Sequence, residues 1–78
     1  MLVKIISPDK TLFLAEAQEL LLRTDGGELG ILDNHAPLIG TLKAGIIRVR
    51  QGDVWKEIEG GKGLLEVQKN QVLILLDA

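Results

Sequence analysis

Ile46-Ile47-Arg48-Val49-Arg50-Gln51-Gly52-Asp53-Val54-Trp55-Lys56-Glu57-Ile58-Glu59 is the stretch that decides the fold class. Two runs rich in β-branched residues flank Gln51-Gly52-Asp53, the pattern of a β-hairpin. With Gly52-Asp53 as a two-residue type II′ turn, Arg48 faces Glu57 and Ile47 faces Ile58 across the strands. Arg50 then faces Trp55, where its guanidinium can lie against the indole. This register puts apolar Ile47, Val49, Val54 and Ile58 on one face, with Lys56 as the exception.

Working outward, short apolar runs alternate with turn residues in both directions. Towards the amino terminus lie strands at Leu38 to Leu42, at Gln18 to Thr24, at Thr11 to Glu16 and at Leu2 to Ile6. Leu29, Ile31 and Leu32 form a very short strand, and the glycine inside it predicts a bulge or a close backbone approach. Ser7-Pro8-Asp9-Lys10 is a turn, because proline fixes φ and cannot donate to a ladder. Leu12 to Arg23 carries good helix formers, so a helix competes there. Two strands with a kink near Ala15-Glu16-Ala17 agree better with the strand-like surroundings. Towards the carboxy terminus, Gly60-Gly61-Lys62-Gly63 is a tight turn into Leu64 to Val67. Gln68-Lys69-Asn70-Gln71 then joins that strand to Val72 to Leu76 as a second hairpin. Around nine short strands predict an all-β sandwich or barrel.

Leu20-Leu21-Leu22, Leu64-Leu65 and Val72-Leu73-Ile74-Leu75-Leu76 are apolar at consecutive positions. A sandwich hides only the inner face of each sheet. The surplus points to an outer face covered either by a partner or by loops of the same chain.

Composition removes several function classes. Seventy-eight residues make one domain, and the absence of cysteine excludes a disulfide framework and thiol chemistry. A net charge of −2 and only two aromatic residues, Phe13 and Trp55, argue against a nucleic-acid module. No apolar run is long enough to span a bilayer, and Met1-Leu2-Val3-Lys4 lacks a signal-peptide architecture. Any membrane association is expected to go through another protein.

Loop-like residues are densest in Gly26-Gly27-Glu28-Leu29-Gly30-Ile31-Leu32-Asp33-Asn34-His35-Ala36-Pro37-Leu38, where a contact or a site is best sought. His35, Ser7 and Asp33 supply the residue types of a catalytic triad, but no strand-turn-helix elbow presents the serine. Glu28 and Asp33 as a glycosidase pair lack a cleft for a sugar. Neither Gly26-Gly27 nor Gly60-Gly61-Lys62-Gly63 has the Walker spacing, and neither opens a helix to hold a phosphate. Asp25, Glu28 and Asp33 do not fit a calcium loop. No catalytic, cofactor-binding or metal residue is assigned. Lys69 sits at a hairpin, as in lipoyl- or biotinyl-carrier domains, but without their Asp-Lys or Met-Lys-Met context.

The segment GGELGILDNHAPL, with IISPDKTLF before it and LKAGIIRVR and GGKGLLEV after it, resembles the ε subunit of F-type ATP synthases, the equivalent of mitochondrial δ. The resemblance runs in order from Val3 to Leu76. It implies a flattened β-sandwich of about ten short, mostly antiparallel strands. It further implies a non-catalytic central-stalk subunit that binds the γ subunit, rests on the membrane ring of c subunits and helps couple ion flow to ATP synthesis. The location implied is peripheral, on the inner face of an energy-transducing membrane. Position by position, the resemblance gives Gly26, Gly27, Glu28, Leu29 and Gly30 to the c-ring contact, with Glu28 as acceptor of a charge-assisted hydrogen bond. It gives Ser7, His35 and Gly40 to the γ contact. Turn geometry for the glycines and rigidity of the corner for His35 and Pro37 explain the same residues without a partner. The two-helix hairpin that follows the sandwich in most of the family is not expected within residues 1–78. A lysine-modified carrier and a stand-alone interaction sandwich are the alternative readings.

Overall fold

A computed structural model describes residues 1–78. They form nine strands and no helix: β1 (Leu2–Ile6), β2 (Thr11–Glu16), β3 (Glu19–Thr24), β4 (Gly27–Leu32), β5 (Leu38–Leu42), β6 (Gly45–Gln51), β7 (Val54–Gly60), β8 (Gly63–Gln68) and β9 (Gln71–Leu76). The all-β expectation therefore holds, with the strand number given by the turn signals.

The β6–β7 hairpin has the register read from its sequence, with Ile47 opposite Ile58, Arg48 opposite Glu57 and Arg50 opposite Trp55. Gly52 takes φ = 60° and Asp53 is not among the residues of positive φ, which is the type II′ combination. The cross-strand chemistry follows: Arg48 Nε lies 3.1 Å from Glu57 Oε2, and the Arg50 guanidinium is 6.0 Å from the Trp55 ring centre. Lys56, the polar intruder on the apolar face, extends its ammonium over the Phe13 ring at 5.9 Å. That contact lets a cation sit at the rim of a greasy surface.

The strand order is β2-β1-β9-β8-β5-β3-β6-β7, with β4 also paired to β3. β1 and β9 run parallel, and every other pairing is antiparallel. The continuous sheet folds where β3 changes partner. Glu19 to Leu21 pair with β6, whereas Thr24 pairs with Leu42 of β5. One layer is therefore β2-β1-β9-β8-β5 and the other is β4-β3-β6-β7. Between them lie Val3, Ile5, Leu65, Val67, Val72 and Ile74 from the first layer and Leu20, Leu22, Ile31, Ile47 and Val49 from the second, all buried.

Two local expectations meet different outcomes. Leu12 to Arg23 is two strands interrupted at Ala17-Gln18, as preferred over a helix, and Ala17 is fully buried at the break. Of the bulge or close backbone approach expected at the glycine of this strand, the bulge is absent, since β4 pairs with β3 residue for residue from Gly27 to Leu32. A Cβ at Gly30 would meet Leu21 Cδ2 at 3.4 Å, an ordinary van der Waals contact.

Gly60-Gly61-Lys62-Gly63 is a crossover between layers, because β7 pairs with β6 while β8 pairs with β5 and β9. Its glycines let the end of β9 pass close by. A Cβ on Gly63 would stand 2.4 Å from the Leu75 carbonyl oxygen, and one on Gly60 would stand 2.4 Å from Leu76 Cδ1.

Candidate functional site

The stretch that looked like one contact loop is three different structures. Asp25-Gly26 is the tip of the β3–β4 hairpin, since Thr24 pairs with Gly27. Gly27 has φ = 116°, a backbone that favours glycine. Thr24 Oγ1 locks the tip by accepting from the Gly26 amide at 3.1 Å and donating to the Gly27 carbonyl at 3.0 Å. Gly27, Glu28, Leu29 and Gly30 are therefore strand residues rather than loop. Glu28 is exposed, opposite Arg23, and takes part in no ion pair of the structure.

At the far end of β4 comes the Asp33-to-Pro37 corner. It turns through the His35 amide, which donates to the Leu32 carbonyl at 3.1 Å, with Asn34 at φ = 62°. Asparagine tolerates that conformation better than most side chains. Asn70, at the tip of the β8–β9 hairpin, accepts the Asn34 amide proton at 2.8 Å. The Met1 α-ammonium donates to Asp33 Oδ1, donates to the Ala17 carbonyl at 3.0 Å and lies 3.3 Å from Glu16 Oε2. The Asp33 hydrogen bond raises the ammonium pKa above its ordinary value of 8.0, desolvation opposes that rise, and Glu16 adds to it. The His35 Nδ1 atom is 2.7 Å from the Ala36 carbonyl, a local contact that holds the half-buried ring against its own corner. Lys69, of φ = 51°, is exposed at the same end beside Asn70.

β4 thus separates Glu28 from His35 along the length of the sandwich. Ser7 belongs to the Glu28 end: its amide and Oγ both bond the Lys10 carbonyl, at 2.9 and 3.3 Å, in the turn after β1. Gly40 lies in β5 opposite Leu65, with nothing within 4 Å of a Cβ placed there. Ser7, His35 and Gly40 do not converge on one point.

The outer face of the first layer carries exposed apolar side chains. Strand alternation turns Leu14, Leu2, Ile6, Leu73, Leu75, Leu64 and Ile39 outward, interspersed with Lys4, Glu66 and Gln68, and the registers set Ile6, Leu75, Leu64 and Thr41 in one row. Leu14 is 56 % exposed, Leu64 is 55 % and Ile39 is 80 %. Loops of the same chain do not cover this face. The outer face of the second layer mixes exposed Leu32, Ile46 and Trp55 with ion pairs, Arg50 bonded to Glu19 at 3.0 Å and Arg48 to Glu57. The runs at Leu64-Leu65 and Val72 to Leu76 signalled the apolar face in the sequence. Leu38-Ile39 and Leu12-Phe13-Leu14-Ala15 are also apolar at consecutive positions, and they place Ile39 and Leu14 on the same outer face. No three histidine, cysteine or acidic side chains group closely enough to hold a metal ion.

Comparison with known proteins matches residues 1–78 to the profile of the ATP synthase, Delta/Epsilon chain, beta-sandwich domain. The chain is 46 % identical over 78 residues to the ATP synthase epsilon chain of a Synechococcus species, covering all of this chain and 56 % of that one. It is 44 % identical over 75 residues to the chloroplastic epsilon chain of Porphyra purpurea, covering 96 % and 56 % respectively. This chain therefore spans little more than half the length of those relatives. The fold is also that of a chain in the Euglena gracilis mitochondrial ATP synthase OSCP/F1/c-ring structure. That match has a TM-score of 0.90 at 23 % identity, over 97 % of this chain and 49 % of that one. A chain in the Tetrahymena thermophila central stalk and c-ring structure matches with a TM-score of 0.84 at 17 % identity, over 99 % and 63 %.

Proposed function

This chain belongs to the ATP synthase delta/epsilon chain β-sandwich family, and from that membership we propose that it is a non-catalytic rotor component. It binds the γ subunit, rests on the c ring and helps couple ion movement to ATP synthesis. Its membrane association is peripheral, on the inner face of an energy-transducing membrane, and runs through those two partners.

The apolar outer face of the first layer is the observation that carries the reading. Burying a leucine- or isoleucine-sized side chain contributes on the order of 1.5–3 kcal/mol, and Leu14, Ile39 and Leu64 stand more than half exposed. Such a surface on so small a domain suits a permanent partner. Ser7, His35 and Gly40 are assigned to the γ contact. The hairpin end, with Gly26, Gly27, Glu28, Leu29 and Gly30, is assigned to the c ring. There the exposed, unpaired Glu28 carboxylate is available to a partner's guanidinium or amide.

Co-expression with a γ subunit followed by size-exclusion chromatography tests the assignment. A one-to-one complex is expected, and separate elution of the two chains refutes it. The carrier alternative is decided by intact mass after expression in a lipoylating and biotinylating host. The rotor reading expects no added mass on Lys69.

A further inference from the structure

The α-ammonium of Met1 sits where no strand pairing joins the two layers. Met1, Glu16 and Ala17 lie at the open end of the β1–β2 pair, whereas Asp33 follows β4 of the second layer. Met1 and Ala17 exchange two main-chain bonds. The Ala17 amide donates to the Met1 carbonyl at 2.9 Å, and the Met1 nitrogen donates to the Ala17 carbonyl at 3.0 Å. The β1–β2 pairing thus continues one step past Leu2 and Glu16 into the interior, where Ala17 is fully buried and Met1 nearly so.

Three oxygens meet this one nitrogen: the Ala17 carbonyl, Asp33 Oδ1 and Glu16 Oε2. An ammonium matches them with three protons and a positive charge. An acylated nitrogen has one proton and no charge, and the Ala17 carbonyl, in line with the ladder, takes that proton. Asp33 and Glu16 would then face an acyl oxygen, and ionised carboxylates only accept. Neither acid has another ion-pair partner, so no lysine or arginine replaces the lost cation.

We propose that this pocket is an α-ammonium site that only an unacylated Met1 fills, so that Nα-formylation or Nα-acetylation opens the seam between Met1 and Asp33. For a chain begun on N-formylmethionine, as in bacteria and plastids, hydrolysis of the formyl group must precede closure of the seam. Water cleaves the formyl C–N bond, formate leaves, and the freed amine takes up the proton as ammonium. The pocket lies wholly within residues 1–78, so it does not depend on the rotor assignment.

The test compares the 78-residue chain bearing a free amino terminus with the N-formylated chain, made by expression in the presence of a deformylase inhibitor. Formylation should lower the urea midpoint. The folded-to-unfolded ratio at fixed urea should fall about tenfold, the low end for losing a charge-assisted hydrogen bond. NMR signals of the Ala17, Asn34 and His35 amides should shift, because the last two hold the corner that Asp33 opens. In Glu16→Gln/Asp33→Asn, whose pocket has lost its charge, the formyl effect should shrink to about twofold or less. A separate measurement uses the unmodified chain alone: an acetylating reagent should label the Met1 amine at least about tenfold more slowly in the folded chain than in urea, read as added mass on the amino-terminal peptide. Equal stability with unshifted corner amides, an undiminished formyl effect in the double variant, or equal labelling rates folded and unfolded overturns the proposal.

Discussion

Replacing Ile39 by lysine separates the apolar face from the rest of the molecule. Ile39 is 80 % exposed and lies opposite Glu66 in the β5–β8 ladder. A lysine there gains an opposite-charge neighbour across the strands, so the fold should lose no more than about 1 kcal/mol of strand preference. Binding to γ should suffer far more. Full burial of an isoleucine is worth about 1.5–3 kcal/mol, and 80 % of that is roughly 1.2–2.4 kcal/mol, or about 7- to 50-fold in affinity. Desolvating the new ammonium makes that a lower bound. Isothermal titration calorimetry against γ measures the loss. Leu32→Lys is the matched control, because Leu32 is 54 % exposed on the opposite face and pairs with Glu19. If Leu32→Lys weakens γ as much as Ile39→Lys does, or Ile39→Lys binds normally, the face has been assigned wrongly.

Three further expectations concern other parts of the molecule. Gly63→Ala should destabilise by about 3 kcal/mol, the upper range for overpacking, because its methyl meets the Leu75 carbonyl oxygen at 2.4 Å. Against a total of roughly 4–12 kcal/mol for a domain of this size, urea unfolding will register that clearly, whereas Gly40→Ala, with open space around it, should be neutral or slightly stabilising. The raised pKa of the Met1 ammonium means that its contribution is fully present below pH 8 and is lost as pH climbs through the folded value. The urea midpoint should therefore fall above about pH 8, and Asp33→Asn should flatten the dependence; an equally steep fall in Asp33→Asn would contradict the linkage. Glu28→Lys should leave the isolated domain folded and weaken ion-coupled ATP synthesis in the reconstituted complex. Unchanged coupling removes Glu28 from the c-ring contact.

Hairpins were legible because their signals are local. Gly52-Asp53 sets a turn type, the turn sets the register, and the register brings Arg48 to Glu57 without help from distant residues. Assignment of the layers was not legible. It depends on β3 dividing its hydrogen bonds between β6 and β5, a long-range choice that no residue in Glu19–Thr24 announces. Glycine in a strand permits a bulge, but Gly30 pairs with Leu21 in an unbroken ladder, an outcome set by β3 rather than by the glycine. The site was legible in part. Consecutive apolar residues at Leu64-Leu65 and Val72 to Leu76 must show one residue to each face, whichever way the strand turns. Chain proximity between Glu28 and His35 suggested one loop, whereas the strand between them sends the two to opposite ends of the sandwich.

The central claim is that this sandwich attaches to γ by the outer face of the β2-β1-β9-β8-β5 layer. Hydrogen exchange of the chain alone and in complex with γ tests it most directly. The account predicts added protection at the margins of that layer, in the Ser7 turn, along β5 around Ile39 and Gly40, and at the edge of β2 around Leu14. The ion-paired β6–β7 hairpin should exchange as before. Protection centred on β6–β7, or no stable complex to measure, would contradict it.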